Sequence, residues 1–207
     1  MTTETRATYA DLVLVPNTQV AELIDGELFV TPRPAIRHTR SSSRLGFLLG
    51  PFDREAGGDQ PGGWIILDEP ELHFGDEPKV LVPDLAGWRR ERWPRDADPM
   101  YVTVAPDWVC EVVSPSTERW DRSRKMLVYL TEGVRWLWLV NPILETLEVY
   151  RQTVSLPAHL GDEPRPLDRQ HVTLCMWTLI GVWSGQDAGA IEPFDALPIE
   201  LTRLWTL

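Results

Sequence analysis

The chain has 207 residues, 43% of them hydrophobic, which suits one domain with a full core or one domain plus an appendage. No apolar run reaches the length of a membrane span, and the opening MTTETRATYADL lacks the regions of a secretory signal, so a cytoplasmic protein with no membrane partner is expected. The formal charge of −11 argues against a non-specific nucleic-acid binder, which is ordinarily basic, although arginines cluster at Arg33 to Arg44, Arg89 to Arg95 and Arg119 to Arg124, and acidic groups also serve metal ions.

From the N-terminus, Thr8 with Asp11 three residues on predicts a short capped helix ending before Pro16. Val20 to Ile24 and Glu27 to Thr31 flank Asp25-Gly26, a strong hairpin signal. Glu22 falls in the first of these strands and by alternation reads as a solvent-facing residue. A helix has room from about Ala35 to Glu55, weakened late by Gly46, Gly50 and Pro51, and His38 lies in its first turn. A lone histidine there is ordinarily a structural hydrogen-bonding group, because no second His or Cys stands at metal-ligand spacing from it.

Residues 57–63 (GGDQPGG) read as a flexible loop and not a phosphate cradle, since no Lys-Ser/Thr and helix follow. Strands are expected at Trp64 to Leu67, Glu71 to Phe74 and Lys79 to Trp88. The last holds one acid, Asp84, directly after Pro83, and proline inside a strand implies an edge or a bulge. A charged loop, Arg89 to Pro99, leads to the strand Asp107 to Val113, which also carries one acid, Glu111, among apolar neighbours. Burying it alone would raise its pKa and cost several kcal/mol, on the order of a lost buried polar partner, so a solvated cleft or a cation is required there.

Ser114-Pro115-Ser116-Thr117 ends that strand and offers caps to a helix from Glu118 to Glu132, along one side of which lie Asp121, Lys125 and Tyr129. Only two of the 20 basic side chains are lysines, Lys79 and Lys125. In a chain that otherwise uses arginine, a lysine stands out as a compact, tunable ammonium. The plainer reading is an Asp121/Lys125 surface pair worth roughly a few tenths of a kcal/mol. Further strands are expected at Arg135 to Val140 and Leu144 to Gln152, a loop at Leu156 to Gln170, short strands or turns at His171 to Trp177 and Val182-Trp183, and a terminal helix at Pro198 to Trp205. Cys110 and Cys175 read as free buried thiols.

These elements predict an α/β (α+β) fold, a mixed sheet with helices on its faces. Asp84 and Glu111 on neighbouring strands would converge beside a cleft and suit a hard divalent cation such as Mg²⁺, with Lys125 from the adjoining helix orienting water or stabilising developing charge.

The ordered set Glu22-Leu23-Ile24-Asp25-Gly26-Glu27-Leu28, His38, Val82-Pro83-Asp84-Leu85, Cys110 to Thr117, Asp121, Lys125, Tyr129, Gly133-Val134 and Trp138 to Pro142 resembles the Uma2 (DUF820) group of the PD-(D/E)XK nuclease superfamily. The resemblance spans roughly residues 8–150. It implies a restriction-endonuclease-like mixed sheet flanked by helices, with an N-terminal β-hairpin addition. It also implies one nuclease domain over residues 1–207, with its core at about 20–150 and a C-terminal extension at 151–207. Asp84 would be the Asp of the PD element and Glu111 the acid of the (D/E)XK element, both binding metal. Val113 stands at the usual lysine position, so Lys125 is the replacement candidate, with Glu22, His38, Asp121 and Tyr129 as secondary residues. Ala21 and Asn141 depart from the family pattern but remove no ligand. The implied activity is Mg²⁺-dependent DNA cleavage, with Mn²⁺ as substitute and a homodimer as the assembly. The alternatives are a catalytically weak binding or regulatory module on the same fold, and a structural protein whose acids only form ion pairs.

Overall fold

The computed structural model describes residues 6–57, 61–75, 79–94, 100–155 and 174–206. Helix α1 (Tyr9–Val13) begins where the Thr8 N–H and hydroxyl both donate to Asp11 Oδ2, each at 2.7 Å. Strands β1 (Gln19–Ile24) and β2 (Glu27–Pro32) pair in the register Ile24↔Glu27 through a two-residue turn. Asp25 and Gly26 both take positive φ there, 53° and 80°, matching the right-handed twist of the flanking strands. Helix α2 (Ile36–Leu49) stops short of the expected residue 55, because Gly50 and Pro51 give the next turn low helical propensity.

After β3 (Trp64–Asp68) and β4 (Leu72–Phe74), the strand expected at Lys79 to Trp88 divides into β5 (Lys79–Leu81) and β6 (Leu85–Arg89). The break falls at Val82-Pro83-Asp84, where the proline has no N–H for a ladder. Its consequence is topological: β5 belongs to a four-stranded antiparallel sheet, order β2-β1-β5-β4, and β6 to a six-stranded one. Strand β7 (Trp108–Val112) pairs antiparallel with β6 in the register Leu85↔Cys110 and parallel with β8 (Trp136–Asn141). The parallel pair needs a crossover, supplied by helix α3, residues 118–131. This helix ends at Gly133, in the left-handed region at φ 83°, with the Val134 N–H returning to the Tyr129 carbonyl at 3.0 Å.

Strand β9 (Thr146–Ser155) follows, and the short pieces expected around residues 171–183 form one long edge strand, β10 (Leu174–Ser184). The large sheet then has the order β10-β9-β8-β7-β6-β3. In place of a helix from Pro198, the chain forms a small pair, β11 (Ala188–Ala190) and β12 (Pro198–Glu200), and only a short α4 (Thr202–Trp205). The loop expected at 156–170 lies outside the described residues.

Alternation along β7 divides the core in two. Trp108, Cys110 and Val112 join a cluster with α2 residues Leu45 and Leu49 and the C-terminal Ile191, Phe194 and Leu204. Val109 and Val113 face the other way, into a cluster with Trp120, Val128 and Tyr129 of α3 and Ile24 of β1. Glu111 has the parity of this second face, so it points at α3 and the small sheet. Cys110 is buried as expected, whereas Cys175 is exposed because β10 lies at the sheet edge. No helix among the described residues is long and apolar enough to cross a membrane.

Candidate active site

Three structural facts bring distant residues together. The Leu85↔Cys110 register sets Asp84, just before β6, beside Glu111 on β7. The β7–α3–β8 crossover lays α3 over the face on which Glu111 points. The small sheet packs against the same place through Glu22. The result is a cavity of about 350 Å³ whose lining includes Glu22, His38, Asp84, Glu111, Asp121 and Lys125. Asp84 and Glu111 therefore share one side of the sheet, as a metal-binding pair requires and a set of unrelated ion pairs does not.

Lys125 is at the centre. Its Nζ lies 2.8 Å from Glu22 Oε1, 2.8 Å from Glu111 Oε1 and 3.8 Å from Asp121 Oδ1, and it donates to the Val82 carbonyl at 3.4 Å. The residue is 3% exposed, so the surface-pair reading of Asp121 and Lys125 does not hold. Glu22 is likewise buried at 6%, correcting the solvent-facing assignment. Alternation alone places an acid outward, and only the packing of a second sheet element against α3 turns that side inward. The Glu22 carboxylate also accepts the Val82 N–H at 2.9 Å.

Tyr129, one turn beyond Lys125, donates its hydroxyl to Glu111 Oε1 at 2.6 Å. That oxygen thus takes the tyrosine hydroxyl and the Lys125 ion pair, and among the described residues no hydrogen bond reaches the second oxygen of Glu111. Asp84 is held differently: Oδ1 meets His38 Nε2 at 2.5 Å and Oδ2 accepts the Val112 N–H at 2.7 Å. His38 is therefore a hydrogen-bonding partner, as its isolation in sequence indicates, and the group it contacts is a site carboxylate. The helix carrying Asp121 and Lys125 is widened into a π turn over Asp121–Lys125, a departure from regular helix frequent at functional sites.

Electrostatics follow from burial. Desolvation pushes the Glu111 carboxyl well above its usual range; Lys125 opposes that, while Asp121, Asp84 and Glu22 add to it. Asp121 is raised to about 6, again by burial first, with Lys125 and a Thr117 hydrogen bond pulling the other way. For Lys125 burial favours loss of the proton, but Glu111, Glu22 and Asp121 together outweigh it and hold the ammonium well above its ordinary value. Burial and the neighbouring Glu111 raise Tyr129, keeping it a neutral donor.

Among the described residues no group of three His, Cys, Asp or Glu side chains is arranged to hold a metal ion. Asp84 and Glu111 nevertheless fit a hard divalent cation. They are oxygen donors on one cavity, whose lining holds five carboxylates, with Glu22, Glu69 and Asp121, against Arg33 and Lys125. Mg²⁺ in particular binds through one or two carboxylates and keeps water in its remaining positions. Sequence reasoning did not find the Val82 backbone or the hydroxyl wall of Ser114, Ser116 and Thr117 as parts of this site. The hydroxyls were legible as helix caps; their facing the cavity depends on where α3 docks.

The architecture is that of a mixed α+β protein, a six-stranded mixed sheet with a four-stranded antiparallel one. The crystal structure of a putative nuclease belonging to DUF820 from Anabaena variabilis ATCC 29413 matches with a TM-score of 0.64 over 96% of this chain and 97% of that one, at 22% identity, a likeness of fold. Residues 6–174 match the Uma2 family, described as putative restriction endonuclease, and the chain belongs to that family. No curated protein matches the chain.

Proposed function

We propose that this protein is a Mg²⁺-dependent endonuclease that hydrolyses DNA phosphodiester bonds. The observation that carries this reading is the convergence of Asp84, Glu111 and Lys125 on one cavity, with the lysine 2.8 Å from Glu111. Asp84 and Glu111 would hold the cation, Mg²⁺ or Mn²⁺, which would supply polarisation of a phosphoryl oxygen and a lowered pKa for bound water. Lys125 enters as an ammonium: it orients water or stabilises the negative charge that develops on the phosphoryl oxygens. Tyr129 fixes the Glu111 carboxylate, and His38 together with the Val112 N–H fixes that of Asp84, so both acids are held before substrate arrives.

A second reading, a catalytically weak binding or regulatory module, is favoured by one observation. Both oxygens of Asp84 and one of Glu111 already have protein partners, so the cluster is largely satisfied on its own. Calorimetric titration of Mn²⁺ into wild type and Asp84→Ala, beside plasmid nicking by the same samples, separates the two. Binding and nicking that both vanish in the variant support the nuclease; well-folded wild type with neither signal supports the module. The proposed assembly is a homodimer joined along β10, an edge strand that exposes Leu174, Met176, Leu179 and Val182.

A further inference from the structure

Glu22 does not belong to the sheet that carries the proposed metal-binding acids. It sits on β1 of the four-stranded sheet, yet its Oε1 has two partners from elsewhere: it accepts the Val82 N–H at 2.9 Å and forms an ion pair with Lys125 Nζ at 2.8 Å. Val82 lies two residues before Asp84, and Lys125 also donates to the Val82 carbonyl at 3.4 Å. One carboxylate therefore ties β1, the turn that presents Asp84, and α3 to a single point in the cavity wall. An ordinary structural ion pair would join two groups; this one closes a ring through Glu22, Lys125 and both polar atoms of one peptide residue.

The ammonium has three N–H donors and no lone pair. It makes ion pairs at 2.8 Å with Glu22 and Glu111, and its hydrogen bond among the described residues is the long one to the Val82 carbonyl. Without Glu22, the third carboxylate paired with the ammonium is Asp121, 3.8 Å away and too far for a hydrogen bond in the present arrangement. The ammonium would swing toward it, leaving the Glu111 oxygen and changing its orientation.

We propose that Glu22 is a positioning residue for Lys125: its carboxylate holds the ammonium against Glu111 and the Val82 carbonyl, so that the ammonium is presented in one orientation to a water or phosphoryl oxygen in the cavity. This assigns Glu22 to the lysine and not to the cation. The assignment rests on the nuclease reading for its catalytic meaning, while the clamp itself can be tested without turnover.

The chain has two lysines, so protein labelled at the lysine nitrogen gives two ammonium signals, with Lys79 as internal reference. In wild type the Lys125 signal is protected from solvent exchange; in Glu22→Gln, which keeps the shape and removes the charge, it broadens or is lost while the Lys79 signal is unchanged. Glu22→Asp keeps the charge, shortens the reach and gives the same loss, which covers the case of a misfolded glutamine variant. In cleavage assays Glu22→Gln lowers kcat by about 100-fold, the scale of an ångström-sized misplacement. KM and Mn²⁺ affinity stay within about threefold, as uniform binding is untouched. An unchanged Lys125 signal in both folded variants overturns the proposal, and so does a Mn²⁺ affinity reduced tenfold or more, which would make Glu22 a ligand. Wild type that cleaves nothing defeats the nuclease reading, and the lysine signal still decides the clamp.

Discussion

Asp121→Asn isolates the electrostatic cost of the buried cluster. Asp121 is 4% exposed and its carboxyl is raised from 3.8 to about 6, mainly by burial. At about 1.4 kcal/mol per pKa unit, ionising it in the folded protein costs about 3 kcal/mol more than in the unfolded chain. The sign follows from proton binding. Between pH 4 and pH 6, approximately, the folded state keeps a proton that the unfolded state has released, so stability is greatest below that window and declines as pH rises through it. Asparagine mimics the protonated acid and has no such decline. Urea unfolding at a series of pH values, with divalent ions chelated, should show variant and wild type nearly parallel below pH 4. The variant should gain by up to about 3 kcal/mol by pH 7. A stability difference that stays constant across this window would refute the reasoning, because it would mean that Lys125 and Thr117 fully offset the burial of Asp121.

Two further expectations concern the frame of the site. Phe194 is fully buried against Trp64, Trp108 and Phe52, with ring centroids at 4.9, 4.9 and 5.0 Å, so Phe194→Ala should cost roughly 3–5 kcal/mol in denaturant unfolding. A cost below about 1 kcal/mol would mean that the C-terminal segment is dispensable to the core. Leu179, half-exposed on β10, should tolerate lysine in the monomer but weaken the proposed β10 dimer, so sedimentation of Leu179→Lys should show a shift toward monomer relative to wild type; an unchanged distribution would remove β10 as the interface.

Much of the site could be read from composition and local chemistry. A rare lysine four residues after an acid, and two acids isolated on apolar strands, announce charges that must be matched by something, and period-two alternation turns Glu111 to the α3 side of the sheet. The Asp25-Gly26 hairpin and the α1 cap are equally local, since each depends on backbone conformations that a few neighbouring residues dictate, whereas α2, expected to run to Glu55, ends at Leu49. Other features had no local signal. Pro83 marked an irregularity, but only long-range pairing determined that it parts two sheets. Glu22 reads as a surface residue until β1 is packed against α3, because alternation names a side of a strand and cannot say what covers it. Leu174 to Ser184 became one edge strand by pairing along β9, and Pro198 to Glu200 became a strand by pairing with Ala188 to Ala190, both non-local choices that override weak local preference. The sequence by itself determined which groups carry the charge; the tertiary structure decided that three carboxylates, Glu22, Glu111 and Asp121, would share one buried ammonium, since desolvation and Coulomb coupling depend on distances that only the folded chain sets.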